Sequence, residues 1–331
     1  MGLKPLTWPW RAGLALALAL GLAQTCPAAD PYPNRPIRLI IPFAPGGASD
    51  FVGRILVQKL SEALNQQVII DNRTGAAGNI GMEVAAKAAP DGYTLYLGNI
   101  GTLAINPAIY PNLSVQPLKD FAPITLIANV PSALVANSEW GPRQLADAVA
   151  KLRANPDKFN FATPGSGSLN RLEMEIFMKS TGTRMTHVPY KGGGGPAAMG
   201  LIGGETQLMF NTMPSVKGFV EGGRMQALAV TSAKRMPQWP EVPTMAELGY
   251  PDLVTGSWQG VLAPAKTPKD IINKLYQALI KVLEMPDVRE RLAGGGVFPA
   301  QSSSPEEFAQ YLATESQKWG NVAREARATA D

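Results

Sequence analysis

The chain has 331 residues, of which 45% are hydrophobic and 17% are charged, and its formal net charge at pH 7 is +4. Basic and acidic residues are interspersed without the Lys/Arg cluster that nucleic acid requires, so nucleic-acid binding is not expected. One cysteine and one histidine leave no basis for a disulfide framework or a His/Cys metal site.

The first 29 residues have the features of a secretory signal peptide. Lys4 and Arg11 form a positive n-region, residues 12–23 form an apolar core rich in Ala and Leu, and small residues follow at 26–29. The apolar core is too short to span a membrane as a helix. The sequence therefore predicts an exported protein.

Cleavage of this segment after Ala28 or Ala29 would leave a mature chain of about 300 residues. The net charge would fall from +4 to +2, because the two basic residues of the n-region are removed. The single cysteine, Cys26, would also be lost. A lipid anchor on Cys26 is the competing interpretation, but Thr25 is bulkier than the Gly or Ala expected before a lipidated cysteine.

Beyond residue 30, short apolar runs alternate with longer segments of helical periodicity, which is typical of βαβ units in a mostly parallel sheet. These runs have the length of strands, so no membrane span is predicted in the mature chain. The predicted strands cover residues 37–42, 68–71, 93–97, 124–128, 133–136, 159–162, 185–188, 207–210, 225–230 and 258–263. The predicted helices are one that begins at residue 50, one that follows the glycine-rich residues 74–81, and then 143–154, 168–180, 268–283, 286–293 and 305–327.

The mature length suits two lobes better than one core. Pro131 interrupts two consecutive strands, which is expected where the chain leaves one lobe for another, and a proline-rich stretch precedes the last strand. We therefore predict an α/β clamshell with a double crossing, in which each lobe is a mostly parallel sheet flanked by helices. Lobe 1 comprises residues 30–130 and 251–331, and lobe 2 comprises residues 131–250.

Residues 42–50 (PFAPGGASD) join the first strand to the first helix, at the end of a strand where ligands tend to bind in open α/β sheets. A helix N-terminus has unpaired N–H groups and a partial positive charge, so an anion can dock there without Arg or Lys. Gly46 and Gly47 allow close approach of the backbone, and Ser49 offers a hydroxyl or a helix cap. An ordinary tight turn has the same features, and this motif alone leaves both interpretations open.

Residues 163–168 (TPGSGS) repeat this arrangement in the predicted second lobe: a strand, a Gly/Ser loop, and then a helix. Two such loops, one in each lobe, are more informative than either alone. If the lobes face each other, both helix ends point into one cleft and grip a carboxylate from two sides. A closing cleft would exclude water and strengthen these bonds.

A secreted serine hydrolase is the alternative from another functional class. His187 is the only histidine, and Ser166 or Ser168 would be its nucleophile. The pattern Gly-x-Ser-x-Gly would need glycine in place of Pro164, and no acid partner is marked. His187 stands at the end of a predicted strand, where a hydrogen-bonded structural imidazole is expected, so we predict no enzyme and no catalytic residue.

No cofactor or metal is predicted. The Gly-x-Gly at 165–167 has Asn170 where a dinucleotide motif needs its third glycine, and Lys191 precedes its glycines in the reverse order of a phosphate loop. The sequence has no tight acidic cluster for a metal. Residues 191–195 are predicted to form a flexible strand-to-helix loop, with Tyr190 as a candidate for the wall of the cleft.

Several motifs follow one another along the chain in a characteristic order. They are residues 42–50 (PFxPGGxxD), 72–81 (NRxGAxGNIG), 89–94 (APDGYT), 165–168 (GxGS) with Glu175 and Phe177, and 188–192 (VPYKG) leading to Gly203 and Gly204. In these motifs, and over essentially the whole mature chain, the sequence resembles the substrate-binding proteins of tripartite tricarboxylate transporters, the Bug family.

The resemblance implies a two-lobed, type II-like periplasmic binding protein fold and a location in the periplasm. It implies that a small carboxylate, such as a di- or tricarboxylate or a related organic acid, is held by the two loops largely through backbone groups and ordered water. The receptor, expected to be a monomer without a cofactor, would deliver this ligand to the permease subunits of the transporter. A receptor that presents its closed form to a sensor kinase is a further alternative.

The resemblance also assigns ligand contacts by position. These are Phe43, Pro45, Gly46, Gly47 and Ser49 in the first loop, Thr163, Gly165, Ser166, Gly167 and Ser168 in the second loop, and Asn99, Gly101, Thr102 and Asn211 toward the far end of the ligand. Two positions depart from the family pattern, because Arg171 stands where relatives often have histidine and Asn211 where many have an acidic residue. These departures favour a dicarboxylate or an aromatic acid over an amino acid.

Overall fold

The computed structural model of the protein describes residues 2, 32–326 and 328–329. The predicted signal peptide, apart from residue 2, lies outside these residues, as do Cys26 and the cleavage site. From Arg35 onward the chain forms one compact unit. Among the described residues, no helix combines the length and the apolar character needed to cross a membrane.

The strands and helices of this unit are numbered along the chain. The strands are β1 (Ile37–Ile41), β2 (Val68–Asn72), β3 (Thr94–Asn99), β4 (Phe121–Val130), β5 (Ser132–Asn137), β6 (Asn160–Thr163), β7 (Thr186–Pro189), β8 (Leu208–Thr212), β9 (Met225–Val230), β10 (Ser257–Pro264) and β11 (Phe298–Pro299). The helices are α1 (Ala48–Leu64), α2 (Asn79–Ala86), α3 (Asn106–Ile109), α4 (Pro117–Asp120), α5 (Leu145–Ala154), α6 (Leu169–Thr181), α7 (Gly194–Ile202), α8 (Met213–Glu221), α9 (Lys269–Leu283), α10 (Pro286–Gly294) and α11 (Pro305–Glu325).

The strands form two sheets flanked by helices, one in each lobe of a two-lobed α/β fold. The first sheet has six strands in the order β11-β4-β10-β3-β1-β2, and the second has five in the order β7-β6-β8-β5-β9. Both sheets are mixed, so the prediction of mostly parallel sheets is wrong. The strands that follow each passage between the sheets, β5 and β10, run antiparallel to both of their neighbours.

The chain passes between the sheets twice. The first passage is the single residue Pro131 between β4 and β5, and the second lies between β9 and β10. We keep the boundaries 130/131 and 250/251 as a proposal, and both fall within these passages. The proline-rich segment of the second passage packs on the second sheet, where Met236, Trp239 and Met245 are buried.

Helix α1 shows how the local pattern becomes a buried face. Its apolar residues Val52, Ile55, Leu56 and Leu60 are all buried, at the spacing that places side chains on one side of a helix. The helix begins at Ala48, two residues before the predicted start, and ends at Leu64, after which the C-cap residue Asn65 adopts the left-handed conformation. The sequence pattern thus predicted the helix but missed its first turn, which carries few apolar residues.

Candidate functional site

A cavity that is partly open to solvent is lined by residues of both lobes. The lining residues are Phe43, Gly47, Ala48, Ser49, Ala77, Asn99, Ile100, Gly101, Pro164, Gly167, Ser168, Leu169, Asn170, Gly194, Asn211, Thr212, Ser215, Ser257 and Gln259. In the described part of the chain, no Lys, Arg, His, Asp or Glu side chain lines this cavity.

The first turns of helices α1, α6, α7 and α8 all contribute to the lining. The N-termini of α1, α7 and α8 receive no hydrogen bond from a capping side chain. Helix N-termini present unpaired N–H groups and a partial positive charge. The cavity is therefore suited to an anion although its side chains are neutral.

Asp50 and Asn72 hold the first loop in place. The buried Asp50 carboxylate accepts hydrogen bonds from the backbone N–H of Gly46 (3.2 Å) and from Arg54 Nε (2.8 Å). Asn72 Nδ2 donates to the carbonyl oxygen of Phe43 at 2.8 Å. Of the two roles offered for Ser49, a hydroxyl or a helix cap, the cap is excluded, because Gly47 is the N-cap residue and Ser49 lies inside the first helical turn.

The second loop is held by its own hydroxyl groups. Ser168 is the N-cap of α6, and its Oγ accepts a hydrogen bond from the backbone N–H of Arg171 at 3.2 Å. Thr163 Oγ1 accepts one from the N–H of Gly165 at 3.3 Å. Both bonds lie within the loop and the first turn of its helix, so they hold this segment without a ligand.

The two lobes meet at the rim of the cavity. The N–H of Ala44, in the first loop, donates to the carbonyl oxygen of Gly192, which precedes α7, at 2.8 Å. A Cβ atom on Gly101 would lie 2.9 Å from the carbonyl oxygen of Gly167 in the second loop. Glycine is therefore required at Gly101 for this approach of the two lobes.

The predicted site residues divide into two groups. Those that line the cavity are Phe43, Gly47, Ser49, Asn99, Gly101, Gly167, Ser168 and Asn211. Those outside the lining are Pro45, Gly46, Thr102, Thr163, Gly165 and Ser166. Pro45 and Gly46 are exposed, whereas Thr102, Thr163 and Ser166 are buried.

Several members of this second group support the lining residues. Thr102 donates its N–H to Asn99 Oδ1 at 3.0 Å and thereby orients the Asn99 side chain. Gly165 approaches Ala77 of the first lobe, since a Cβ on this glycine would lie 3.1 Å from Ala77 Cβ. These residues shape the cavity without lining it.

The sequence interpretation missed the lining residues of α7 and α8 and of strand β10. Gly194, Thr212 and Ser215 lie in or just before helices, and the glycine run at 192–195 was the available signal for the first of them. Ser257 and Gln259 come from β10, where no local motif marks them. Tyr190, a candidate for the cleft wall, lies outside the lining and donates instead to Glu205 Oε2 at 2.5 Å.

Arg171, one of the two departures from the family pattern, places no charge in the cavity. Its Nε donates to Glu175 Oε1 at 2.7 Å, and its guanidinium also contacts His187 Nδ1. Asn211, the other departure, lines the cavity, but both ends of its amide are used: Nδ2 donates to the carbonyl of Gly194 at 2.9 Å, and Oδ1 accepts from the N–H of Thr212 at 2.9 Å.

His187 is the hydrogen-bonded imidazole that the sequence predicted. Its Nε2 lies 2.6 Å from Thr163 Oγ1, its Nδ1 contacts Arg171, and its ring stacks on Phe161 with 5.0 Å between centroids. Ser168 Oγ serves as a helix cap. With both ring nitrogens engaged in this way, the geometry favours a structural role for His187 over that of a general base for Ser168.

Glu173 has its carboxyl group completely buried behind the cavity. It accepts hydrogen bonds from Thr255 Oγ1 and, at 2.8 Å, from Asn170 Nδ2, and Asn170 lines the cavity. Burial raises the pKa of the Glu173 carboxyl, and these hydrogen bonds partly oppose the rise. The family motif contains Glu175, two residues further along α6, and no local pattern in the sequence marks Glu173.

Comparison with known proteins identifies the family to which this architecture belongs. Residues 52–327 match the family described as tripartite tricarboxylate transporter family receptor. The chain is also similar to the protein BugT of Bordetella pertussis, with 38% identity over 314 residues that cover 95% of each chain.

Two solved structures with named ligands are similar to this fold. R. palustris Rpa4515 with adipate has 33% sequence identity and a TM-score of 0.87, and the match covers 91% of this chain and 100% of that one. MatC from Rhodopseudomonas palustris with bound malate has 32% identity and a TM-score of 0.83, and the match covers 88% of this chain and 99% of that one.

Proposed function

The chain belongs to the tripartite tricarboxylate transporter receptor family, and on this basis we propose that it is a periplasmic receptor that captures a small carboxylate between its two lobes. The observation that carries the proposal is the cavity lined by the first turns of α1, α6, α7 and α8, with neutral side chains in its described lining. Backbone N–H groups at helix N-termini bind an anion without a charged side chain.

The lining also favours an anion over a cation. Hydroxyl and amide side chains such as Ser49, Ser215 and Asn99 add neutral hydrogen-bonding groups to the lining. An ammonium group would meet the positive ends of the helices, with no acidic side chain in the described lining to balance it. The two similar R. palustris proteins, with adipate and with malate, support the same ligand class.

The receptor reaches its site of action after export and cleavage near Ala28 or Ala29 and acts with membrane permease subunits of a tripartite tricarboxylate-type transporter. This part of the proposal is supported by the family and by the composition of the first 29 residues. The two lobes meet at Ala44 and Gly192. Only when they are together would they present one surface, formed by both lobes, to such a permease.

Thermal unfolding of the mature protein against mono-, di- and tricarboxylates, amino acids, sugars and nucleotides tests the receptor function. A ligand at 100 times its dissociation constant adds about 2.7 kcal/mol to the free energy of unfolding, which raises the midpoint by several degrees. We expect stabilisation by carboxylates alone. A folded, ligand-free protein that no carboxylate stabilises would contradict the proposal.

A further inference from the structure

Gln259 is a buried amide that lines the cavity and has an unused hydrogen-bonding atom. Its side chain is 1% exposed, and its Oε1 has no hydrogen-bond partner among the described residues. It lies in β10, two residues after Ser257, so both side chains project from the same face of the strand toward the cavity. A buried acceptor left without a donor is costly to the free protein.

Gln259 differs from the neighbouring amide side chain, Asn99, in having an acceptor oxygen without a hydrogen bond. In the first sheet, Gln259 of β10 pairs directly with Asn99 of β3, so two amide side chains lie side by side at the cavity. The Oδ1 of Asn99 already accepts the N–H of Thr102 at 3.0 Å. Gln259 therefore offers an acceptor to the contents of the cavity, whereas the corresponding oxygen of Asn99 is occupied.

The chemistry of the cavity selects the kind of donor that Gln259 would accept. An ammonium group is disfavoured, because the helix N-termini are positive and no acidic side chain is present in the described lining. A hydroxyl group is a neutral donor and carries no such cost. A ligand that combines a carboxylate for the helix N-termini with a hydroxyl for Gln259 matches both features.

We propose that Gln259 determines specificity by accepting a hydrogen bond from a ligand hydroxyl group, so that the preferred ligands are hydroxycarboxylates. This inference rests on the proposed receptor function and deepens it by naming the ligand class. A site that hydrogen-bonds a ligand hydroxyl rejects the analogue that lacks it, because the buried acceptor is then left unpaired.

The experiment compares matched ligand pairs by isothermal titration calorimetry on the mature, ligand-free protein. The pairs are butyrate with 3-hydroxybutyrate, succinate with malate, and glutarate with 2-hydroxyglutarate, each hydroxy acid as both enantiomers. We expect the wild-type protein to bind one enantiomer of at least one hydroxy acid about tenfold or more tightly than its deoxy partner.

Gln259→Met keeps the length of the side chain and removes the acceptor, so the preference for the hydroxyl should fall to less than about threefold. Gln310→Met is the matched control, because Gln310 is exposed on α11 and outside the cavity lining. The control should keep the wild-type preference. In addition, ligand-free Gln259→Met should unfold at an equal or higher temperature than the wild type, because it no longer buries an unpaired oxygen.

The outcomes separate the two proposals. Carboxylates that bind with no preference for a hydroxyl in any pair would overturn the role of Gln259 and leave the receptor function standing. A hydroxyl preference that survives in Gln259→Met would do the same. Failure of every carboxylate to bind the wild-type protein would overturn the receptor function itself. The wild-type comparison needs no variant, so a poorly folded variant does not prevent the decision.

Discussion

The carboxyl group of Glu173 accepts a hydrogen bond from the hydroxyl group of Thr255, which joins helix α6 to the segment that returns the chain to the first sheet. Asn170 extends this connection, because its Nδ2 lies 2.9 Å from Ser132 Oγ at the start of β5. The backbone N–H of Ser132 in turn donates to Thr231 Oγ1 at 2.9 Å. One buried network thus links the second loop's helix to both passages between the lobes.

Replacement of Glu173 by glutamine should change how stability depends on pH. Burial raises the Glu173 pKa in the folded protein, so the folded state holds this proton more tightly than the unfolded chain, whose glutamate pKa is about 4.3. The free energy of unfolding contributed by this group is therefore greatest below pH 4.3 and falls as pH rises to the folded pKa. Glu173→Gln should lack this fall.

Urea unfolding at a series of pH values that begins near the unfolded glutamate pKa of about 4.3 and continues upward measures the effect. The difference in unfolding free energy between Glu173→Gln and the wild type should move in favour of the variant as pH rises. Glu139→Gln, at an exposed position, is the control and should follow the wild-type profile. Parallel profiles for Glu173→Gln and the wild type would contradict the raised pKa.

Gly47→Val should abolish carboxylate binding with little loss of stability. Gly47 has φ −94° and ψ 173°, which any residue adopts, and the atoms closest to an added Cβ would be 3.9 Å away. The valine methyl groups would occupy the approach to the N-terminus of α1. We expect calorimetry to show at least about a tenfold loss of affinity and a change of less than about 1 kcal/mol in unfolding free energy.

The contrasting control for this variant is Gly46→Ala. Gly46 is exposed, outside the cavity lining, and has φ +89°, so alanine should cost about 1 kcal/mol of stability and leave affinity unchanged. Undiminished affinity in Gly47→Val would place the carboxylate away from the first loop.

Gly101→Ala should weaken ligand binding by separating the lobes. The added Cβ would lie 2.9 Å from the carbonyl oxygen of Gly167, which is closer than real Cβ contacts allow, so one of the two backbones must move. Small-angle scattering with saturating ligand should show a larger radius of gyration than the wild type, and calorimetry a lower affinity. Gly218→Ala is the control, because its Cβ would meet open space on α8, and it should behave as the wild type.

His187→Ala distinguishes a receptor from a hydrolase. The variant loses the contact with Thr163 and the stack on Phe161, so the unfolding free energy should fall by about 1–2 kcal/mol. Carboxylate affinity should stay within about twofold, because His187 lies outside the cavity lining. An ester-hydrolysis activity in the wild type that disappears in the folded variant would favour the hydrolase.

Local sequence signals were sufficient for most of the strands and helices and for the two loops, but they missed α3, α4, α7, α8 and β11. The apolar spacing of α1 and the strand-length run of β1 are visible without neighbours, because a 3.6-residue period indicates a helix buried on one face and a short continuous apolar run indicates a buried strand. The glycines of residues 42–50 and 165–167 mark turns where the backbone is exposed at a helix N-terminus. Gly47 and Gly167, selected in this way, both line the cavity.

Only the tertiary structure showed the relative directions of the strands in each sheet and the lining residues that β10 contributes to the cavity. An isolated strand such as β5 has no local feature that distinguishes parallel from antiparallel neighbours, so the mixed sheets were missed. Ser257 and Gln259 reach the cavity because β10 inserts between β3 and β4 in the first sheet. About 160 residues separate β10 from β3 along the chain, and local sequence patterns do not predict a pairing over that distance.

The sequence by itself predicted strands β1 to β10, helices α1, α2, α5, α6, α9, α10 and α11, and the two glycine-rich loops that precede helices, because these depend mainly on residues close in the chain. The two lobes were inferred from the length of the chain and from the proline between two consecutive strands. Only the tertiary structure decided which side chains share the cavity and which polar groups are left buried. Gln259 and Glu173 owe their environments to residues distant in sequence, and burial and hydrogen bonding are properties of that assembled environment.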